Sequence, residues 1–387
     1  MNIGLFTETF LPQVNGVVTS ICNINKVLTG RGHNVSIFTV GEGPTRVDGY
    51  TIYRFAGATF KPYPEYKFLL PNHAQWAMLV NQPLDIIHTR TPFPLGVMAK
   101  QLSKKMGIPI IGTFDTPITD YIHYVPIFGS IQPTEYMLTG LAKRWLRYYY
   151  DNCDLLTVPS NVTKNQLIEC GFKTRIEVLS NGVDTKRFNP KKLDKKLKQK
   201  LCPNDELLIL HVGRITKEKN VETLLHIAEK LKKQKVKFKL VIIGKGPVFR
   251  KLVILSASLG IQDSLIFTGH VNNEDLPKYY ATADVFLTSS TVETQGIVLL
   301  ESLASGTPVI GADAGAIPEI IKNSETGFLF PPTGLEAAAD LIKNYSKDKT
   351  ISANCVKAIE NHTIENVGIR LETLYKEVVE NKLITNR

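Results

Sequence analysis

Two carboxylates eight residues apart, Glu293 and Glu301, bracket Gln295-Gly296 and an apolar run from Ile297 to Leu300. If Gly296 opens a helix, the first N–H groups lack partners within it, and an anion such as a diphosphate is their natural complement. Glu293 then stands on the loop and Glu301 inside the helix, where both can accept hydrogen bonds from the hydroxyls of a sugar or ribose. Cations come from a second stretch, Gly213-Arg214-Ile215-Thr216-Lys217-Glu218-Lys219-Asn220, where Arg214 and Lys219 follow an apolar run. Two cations at a strand end can hold a diphosphate and stabilise its charge as it leaves. Each group alone has a plainer reading, since glutamates cap helices or pair with surface lysines, and basic residues are common in strand-to-helix loops. Together they supply the parts of a site for a sugar activated as a nucleoside diphosphate.

Such residues need strands that end beside them. Val285-Phe286-Leu287 precedes the glutamate loop, and Leu207 to Val212 precedes Arg214. Ligands of open α/β sheets sit outside the carboxyl ends of strands. Between these strands the pattern predicts a helix over 221–231, a strand over 238–243, a Gly244-Lys245-Gly246-Pro247 turn and a helix over 249–259. A strand over 265–267 and a helix over 276–281 follow. The first half begins in the same way. Asn2 to Phe6 reads as a buried strand, Thr7 to Asn15 as a loop, and Ile21, Ile24, Val27 and Leu28 recur at helical spacing before Gly30 and Gly32. Gly4 and Gly16 are not spaced as a dinucleotide fingerprint. Gly16 instead marks a place where backbone approaches a ligand or another domain. Strands over 51–54, 86–88, 108–112 and 155–158 complete an α/β pattern of two successive parallel-sheet domains. The expected division is 1–185, 186–365 and a last helix, 366–387, that packs back toward the first domain.

Length and composition agree with this. A chain of 387 residues exceeds what one core usually serves, and 43% apolar with 21% charged residues describes an ordinary globular protein. No run of eighteen apolar residues suggests a membrane span, and the first residues lack the regions of a secretory signal. Five scattered cysteines suit reduced thiols, and the eight histidines form no zinc motif, so no metal site is expected. Of the net charge of +10, residues 186–200 supply +7, from eight Lys or Arg against Asp194. Such a run is a solvated surface or an attraction to an anionic bilayer. No nucleic-acid module accompanies it, so nucleic acid is not an expected partner.

The joint pattern resembles the retaining family 4 glycosyltransferases over nearly the whole chain. The resemblance rests on Pro12-Gln13-Val14-Asn15-Gly16-Val17, Ser180-Asn181-Gly182-Val183-Asp184, Gly213-Arg214 with Lys219-Asn220, and Glu293 through Glu301 followed by Ala304-Ser305-Gly306-Thr307-Pro308-Val309. It implies a GT-B fold, two Rossmann-like parallel-sheet domains facing a central cleft, and hexose transfer from a nucleoside diphosphate sugar. It further implies that Arg214 and Lys219 contact the diphosphate, Glu293 the donor-sugar hydroxyls and Glu301 the ribose. Thr294, Gln295, Gly296 and Ile297 would line the donor through backbone amides, and Gly16 would approach it from the first domain. The segment Asp313 to Glu319 matches a loop beside the site. No tightly bound cofactor is implied; UDP-glucose enters as substrate, and a divalent cation would at most stimulate.

One position departs from the family. Its usual His-Thr pair is Asp115-Thr116 here, followed by Asp120-Tyr121. Aspartate accepts a hydrogen bond from a sugar hydroxyl but is negative near neutral pH, unlike neutral imidazole. Asp115 is thus a candidate catalytic residue that preserves sugar recognition, alters it or marks an impaired enzyme. Glu293 to Gly296, Asn15-Gly16-Val17 and Asp120 to Tyr124 most resemble members that glucosylate diacylglycerol, which implies α-monoglucosyldiacylglycerol as product. The alternatives are a phosphatidylinositol or soluble sugar acceptor, or an impaired GT-B protein that binds a nucleotide sugar or a membrane. Tyr63, Tyr66, Asp120, Tyr121, Lys143, Arg144, Trp145 and Arg147 are the candidates for an acceptor or membrane face. Basic residues beside aromatics suit an anionic bilayer surface, although a helix packed on a sheet shows the same period as Leu138 to Tyr150. The implied location is the cytoplasm, peripherally on the inner face of the cell membrane.

Overall fold

The computed structural model describes residues 1–13, 15–59, 67–69, 71–115, 132–345 and 349–385. The strands of the first unit, the central ones short and largely apolar runs, are β1 (Asn2–Phe6), β2 (Asn34–Val40), β3 (Arg46–Val47), β4 (Tyr50–Phe55), β5 (Gly57–Thr59), β6 (Lys67–Leu69), β7 (Ile86–Thr89), β8 (Ile110–Thr113), β9 (Leu155–Val158) and β10 (Ile176–Val178). Its helices are α1 (Gly16–Gly30), α2 (His73–Val80), α3 (Pro94–Met106), α4 (Gln132–Tyr150) and α5 (Asn161–Glu169). The main sheet runs β10-β9-β8-β7-β1-β2-β4-β3, parallel except for β3, while β5 and β6 form a separate hairpin. Every residue of β7, β8 and β9 is buried, as expected where helices cover both faces of a parallel sheet. Ile21, Ile24 and Leu28 of α1 pack on one face, and Leu95, Ala99 and Leu102 of α3 on the other.

The second unit repeats the plan with β11 (Leu207–Val212), β12 (Phe238–Ile243), β13 (Leu265–Gly269), β14 (Val285–Thr288), β15 (Val309–Ala312) and β16 (Gly327–Phe330). Its helices are α6 (Lys195–Leu201), α7 (Val221–Lys233), α8 (Phe249–Ser258), α9 (Leu276–Thr282), α10 (Ile297–Ala304), α11 (Ile317–Ile320), α12 (Leu335–Asn344) and α13 (Lys349–Ala358). The all-parallel order is β13-β12-β11-β14-β15-β16. The strand order therefore reverses between β11 and β14, as it does between β1 and β7 in the first unit. The lysine-rich run ends in the short helix α6, begun by the Asp194 carboxylate, which accepts the Lys196 and Leu197 N–H groups at 3.0 Å.

The chain returns to the first unit through α14 (Ile364–Thr385). Leu371, Leu374, Tyr375 and Val378 are buried on it. Gly368 lets it approach α1, because a Cβ there would fall 2.5 Å from Val27. A buried polar chain fastens it to the sheet. His88 Nδ1 lies 2.6 Å from the Tyr375 hydroxyl, His88 Nε2 lies 2.6 Å from Thr113 Oγ1, and Thr113 lies 2.6 Å from Thr157 Oγ1. Thr157 donates to the Gly112 carbonyl, so the donors run consistently from Tyr375 through a neutral His88 to Thr113 and Thr157. The units divide at Asn181/Gly182 and Thr363/Ile364. The first division precedes the end of the Ser180-to-Asp184 turn because Val183 N–H donates to the His362 carbonyl at 2.8 Å, which holds that turn to the second unit.

Candidate active site

In the second unit, β11 ends at Val212, and the loop that Gly213 opens lies against the turn after β12. Gly213 N–H donates to the Ile243 carbonyl and Ile215 N–H to the Lys245 carbonyl, each at 3.0 Å. A Cβ on Gly244 would fall 1.9 Å from the Gly213 oxygen, and one on Gly246 would fall 2.1 Å from the Ile215 oxygen, so glycine is required at both. This fixed turn carries Arg214 exposed, with no hydrogen bond or ion pair to another described residue. Further along, the Ser289 hydroxyl donates to the Asn220 carbonyl at 2.7 Å and the Asn220 amide reaches back to the Ser289 carbonyl at 3.4 Å. The loops after β11 and β14 are thereby clamped together. As a result the Lys219 ammonium sits 2.6 Å from the Glu293 carboxylate.

Glu293 is supported from below. Ala316 N–H donates to its carbonyl at 3.0 Å, and Gly315, at φ +54°, packs where a Cβ would lie 2.9 Å from the same oxygen. The Asp313-to-Glu319 segment thus underpins the loop. The Glu293 carboxylate reaches the start of α10, since a Cβ on Gly296 would lie 3.6 Å from its Oε2. Gly296 precedes the helix at φ +82°, and no side chain caps the first turn. Burial pushes the Glu293 carboxyl up, but the Lys219 charge and hydrogen bond outweigh it and leave the group below the usual range. Thr294 is half-buried, Gln295 is buried and Ile297 is the first helical residue. Glu301 lies in the second turn of α10, buried, with the Tyr280 hydroxyl donating to it at 2.8 Å. Burial pushes its carboxyl up to about 7 against that bond and the charge of Arg187.

Sequence reasoning did not single out His211. Its Nδ1 lies 2.9 Å from the Leu287 carbonyl, which cannot donate, so Nδ1 carries the proton and Nε2 is an acceptor. Nε2 is buried and has no hydrogen-bond partner among the described residues. Burial pushes the ring down to about 4, so it is neutral near pH 7. A histidine inside the apolar run of β11 was the signal available.

In the first unit, Gly16 begins α1, and the Asn15 side chain caps it by accepting the Val18 N–H at 3.0 Å. Asp115 follows β8 and is paired with Arg90, a residue the sequence did not flag, which follows β7. Glu8, on the loop after β1, accepts the Leu95 N–H at 2.7 Å and so caps α3. On α4, Lys143 and Arg144 are exposed, and so are Leu141 at 53%, Trp145 at 42% and Tyr148 at 64%. These apolar side chains fall three and four residues apart, on one stripe. Arg147 instead is half-buried over Gly171. Tyr63, Tyr66, Asp120 and Tyr121 lie outside the described residues.

The profile of the family described as Glycosyltransferase Family 4 matches residues 14–187, and that described as Glycosyl transferases group 1 matches residues 193–362. An alpha-monoglucosyldiacylglycerol synthase of Streptococcus pneumoniae is 34% identical over 98% of this chain and 86% of its own length. The chain belongs to glycosyltransferase family 4. A protein of the same name from Acholeplasma laidlawii is 28% identical over 98% of both chains. The structure of a sucrose-phosphate synthase from Thermosynechococcus elongatus has a TM-score of 0.78 at 19% identity, covering 98% of this glycosyltransferase and 99% of that chain. The fold is GT-B, with two parallel-sheet α/β domains. Among the described residues no helix is long and apolar enough to cross a membrane.

Proposed function

We propose that this glycosyltransferase moves glucose from UDP-glucose to the hydroxyl of diacylglycerol with retention, forming α-monoglucosyldiacylglycerol. The observation that carries the lipid acceptor is the near full-length likeness to alpha-monoglucosyldiacylglycerol synthases. The site of the second unit supports a diphosphate donor. Lys219 and Arg214 supply positive charge for the departing diphosphate, and the start of α10 offers backbone N–H groups. Glu293, kept ionised by Lys219, accepts hydrogen bonds from the sugar hydroxyls. Glu301 accepts from the ribose hydroxyls.

In the retaining step the bond from the sugar C1 to the phosphate oxygen breaks as the lipid oxygen bonds C1 from the same face. The proton of the lipid hydroxyl passes to the leaving phosphate. Glu293, engaged by Lys219 at 2.6 Å, is a binding group in this scheme and not a covalent nucleophile. The exposed Leu141-Trp145-Tyr148 stripe flanked by Arg144, with Lys143 exposed on the far side of the helix, supports peripheral attachment to an anionic bilayer, where rings settle at headgroup depth and cations meet phosphate. The test is incubation with labelled UDP-glucose and separate diacylglycerol, phosphatidylinositol and soluble-sugar pools. Label in the diacylglycerol pool is the expected result; label confined to another pool would refute the acceptor, and donor binding with no transfer would make the chain an impaired module.

A further inference from the structure

The strand order of the first unit reverses between β1 and β7, and the carboxyl ends beside such a reversal are where open α/β sheets hold ligands. The loops that leave the sheet here carry Thr7 onward from β1, Arg90-Thr91 from β7 and Phe114-Asp115 from β8. Two of them are joined by a buried ion pair. Arg90 sets both Nε, at 2.8 Å, and a terminal nitrogen, at 2.7 Å, on one carboxylate oxygen of Asp115. The two side chains are 2% and 6% exposed. The same terminal nitrogen reaches the Ser20 hydroxyl of α1 at 3.2 Å, and Arg90 N–H donates to the Phe6 carbonyl at 2.9 Å. The guanidinium is therefore fixed to β1, α1 and the end of β8 together.

Neither charge is tenable here alone, because an isolated buried carboxylate takes up a proton and an isolated buried cation is strongly disfavoured. Burial leaves the Asp115 carboxyl above its ordinary range, and the Arg90 charge and hydrogen bonds offset part of that rise. The neighbouring titratable groups do not share this task. His88 on β7 is neutral, pushed well down by burial and by Arg90, with its ring nitrogens taken up by Tyr375 and Thr113. The Tyr375 hydroxyl on α14 and the Tyr150 hydroxyl on α4 are both held protonated by burial. The pair is thus a net-neutral polar unit. Apolar side chains of similar volume would stabilise a core as well or better, so its place at the strand reversal points to a ligand.

We propose that Arg90 is a positioning residue that holds the Asp115 carboxylate ionised and fixed, so that it accepts a hydrogen bond from a hydroxyl of the transferred sugar. This rests on the proposed sugar transfer. It also recasts the departure at Asp115: two side chains whose charges cancel stand where the family resemblance implies a neutral imidazole. Asp115→His alone would set an imidazole against a buried guanidinium, and restoring the balance needs a second change at Arg90.

Arg90→Gln, Asp115→His and the double variant test this, each assayed at a temperature where thermal melting shows it fully folded. Each single variant is expected to lose about tenfold or more in kcat, and the double variant to recover to within about threefold of the wild type. Carboxyl-carbon NMR, with the Asp115 signal assigned by its loss in Asp115→Asn, should show this group titrating at higher pH in Arg90→Gln than in the wild type. A folded Arg90→Gln with wild-type kcat and KM would reduce the pair to a structural one, as would a double variant no better than Asp115→His. An unchanged titration would remove Arg90 as the group that sets the ionisation of Asp115. If the wild type transfers sugar from no nucleoside diphosphate sugar, the functional assignment fails and the sugar half of the proposal with it, while the titration still decides the electrostatic half.

Discussion

Glu301→Gln should separate stability from donor binding. The folded carboxyl is pushed by burial up to about 7 from an ordinary 4.5, against the hydrogen bond from Tyr280. At about 1.4 kcal/mol for each unit of pKa, ionised Glu301 opposes folding by about 3 kcal/mol. Between about pH 4.5 and 7 the folded state keeps a proton that the unfolded chain has lost. The contribution of the acid form is therefore present at low pH and lost as pH rises through 7. Glutamine keeps the shape and still accepts from Tyr280, yet it cannot ionise. Near pH 4 the variant and wild type should be about equally stable, and at pH 8 the variant should be more stable by up to about 3 kcal/mol. Buried His211 has the opposite slope, since its depressed pKa makes the unfolded chain the better proton binder at acid pH, but it acts on both proteins and cancels in the comparison. Urea midpoints at the two pH values measure the difference. In the same variant UDP affinity should fall roughly tenfold or more at pH 8, because a charged acceptor for a ribose hydroxyl is replaced by an amide. An equal stability difference at both pH values would refute the burial reasoning, and unchanged UDP affinity would remove Glu301 from the nucleotide site.

Lys219→Ala takes the cation from Glu293 and from the diphosphate together, so kcat/KM should fall by about a hundredfold or more; steady-state rates at saturating acceptor check this, and wild-type rates would exclude the lysine. Gly244→Ala drives a methyl group into the Gly213 carbonyl, and urea unfolding should show a loss of about 1–3 kcal/mol or more. Tyr375→Phe removes the donor to His88 Nδ1 and should cost about 1–3 kcal/mol in the same assay. Changing Lys143 and Arg144 to Ala should weaken sedimentation with anionic vesicles by about 1 kcal/mol per charge, less in high salt. Unaltered sedimentation would move the membrane face away from α4.

The sheets and their flanking helices were largely legible because parallel strands buried on both faces are near-continuous apolar runs. Leu207 to Val212 and Leu155 to Val158 could be read from composition alone. Helix α2 was missed: His73 to Val80 carries little one-sided apolar period, and it begins through a reciprocal Asn72–Gln75 cap that pattern reasoning passed over. At the site, the Gly296 helix start followed from motif spacing, whereas Lys219 and Glu293, read from the sequence only as parts of one donor site, turn out to be ion-paired, which no spacing between residues 219 and 293 could show. Arg90 and His211 did not follow from spacing either, since a charged or aromatic polar residue just past or within a buried strand gains its meaning from what lies across the sheet. Arg90 becomes interpretable only when β7 and β8 are neighbours, which brings residue 90 to residue 115. Arg147 looked interchangeable with Lys143 and Arg144 in a basic helix, yet its place over Gly171 half-buries it.

The most direct measurement is proton NMR of the lipid recovered after the purified chain meets UDP-glucose and diacylglycerol in anionic vesicles. The prediction is a single glucosyl diacylglycerol whose anomeric coupling is that of the α-linkage. A β-linked product, or consumption of UDP-glucose with no glycolipid formed, would contradict it.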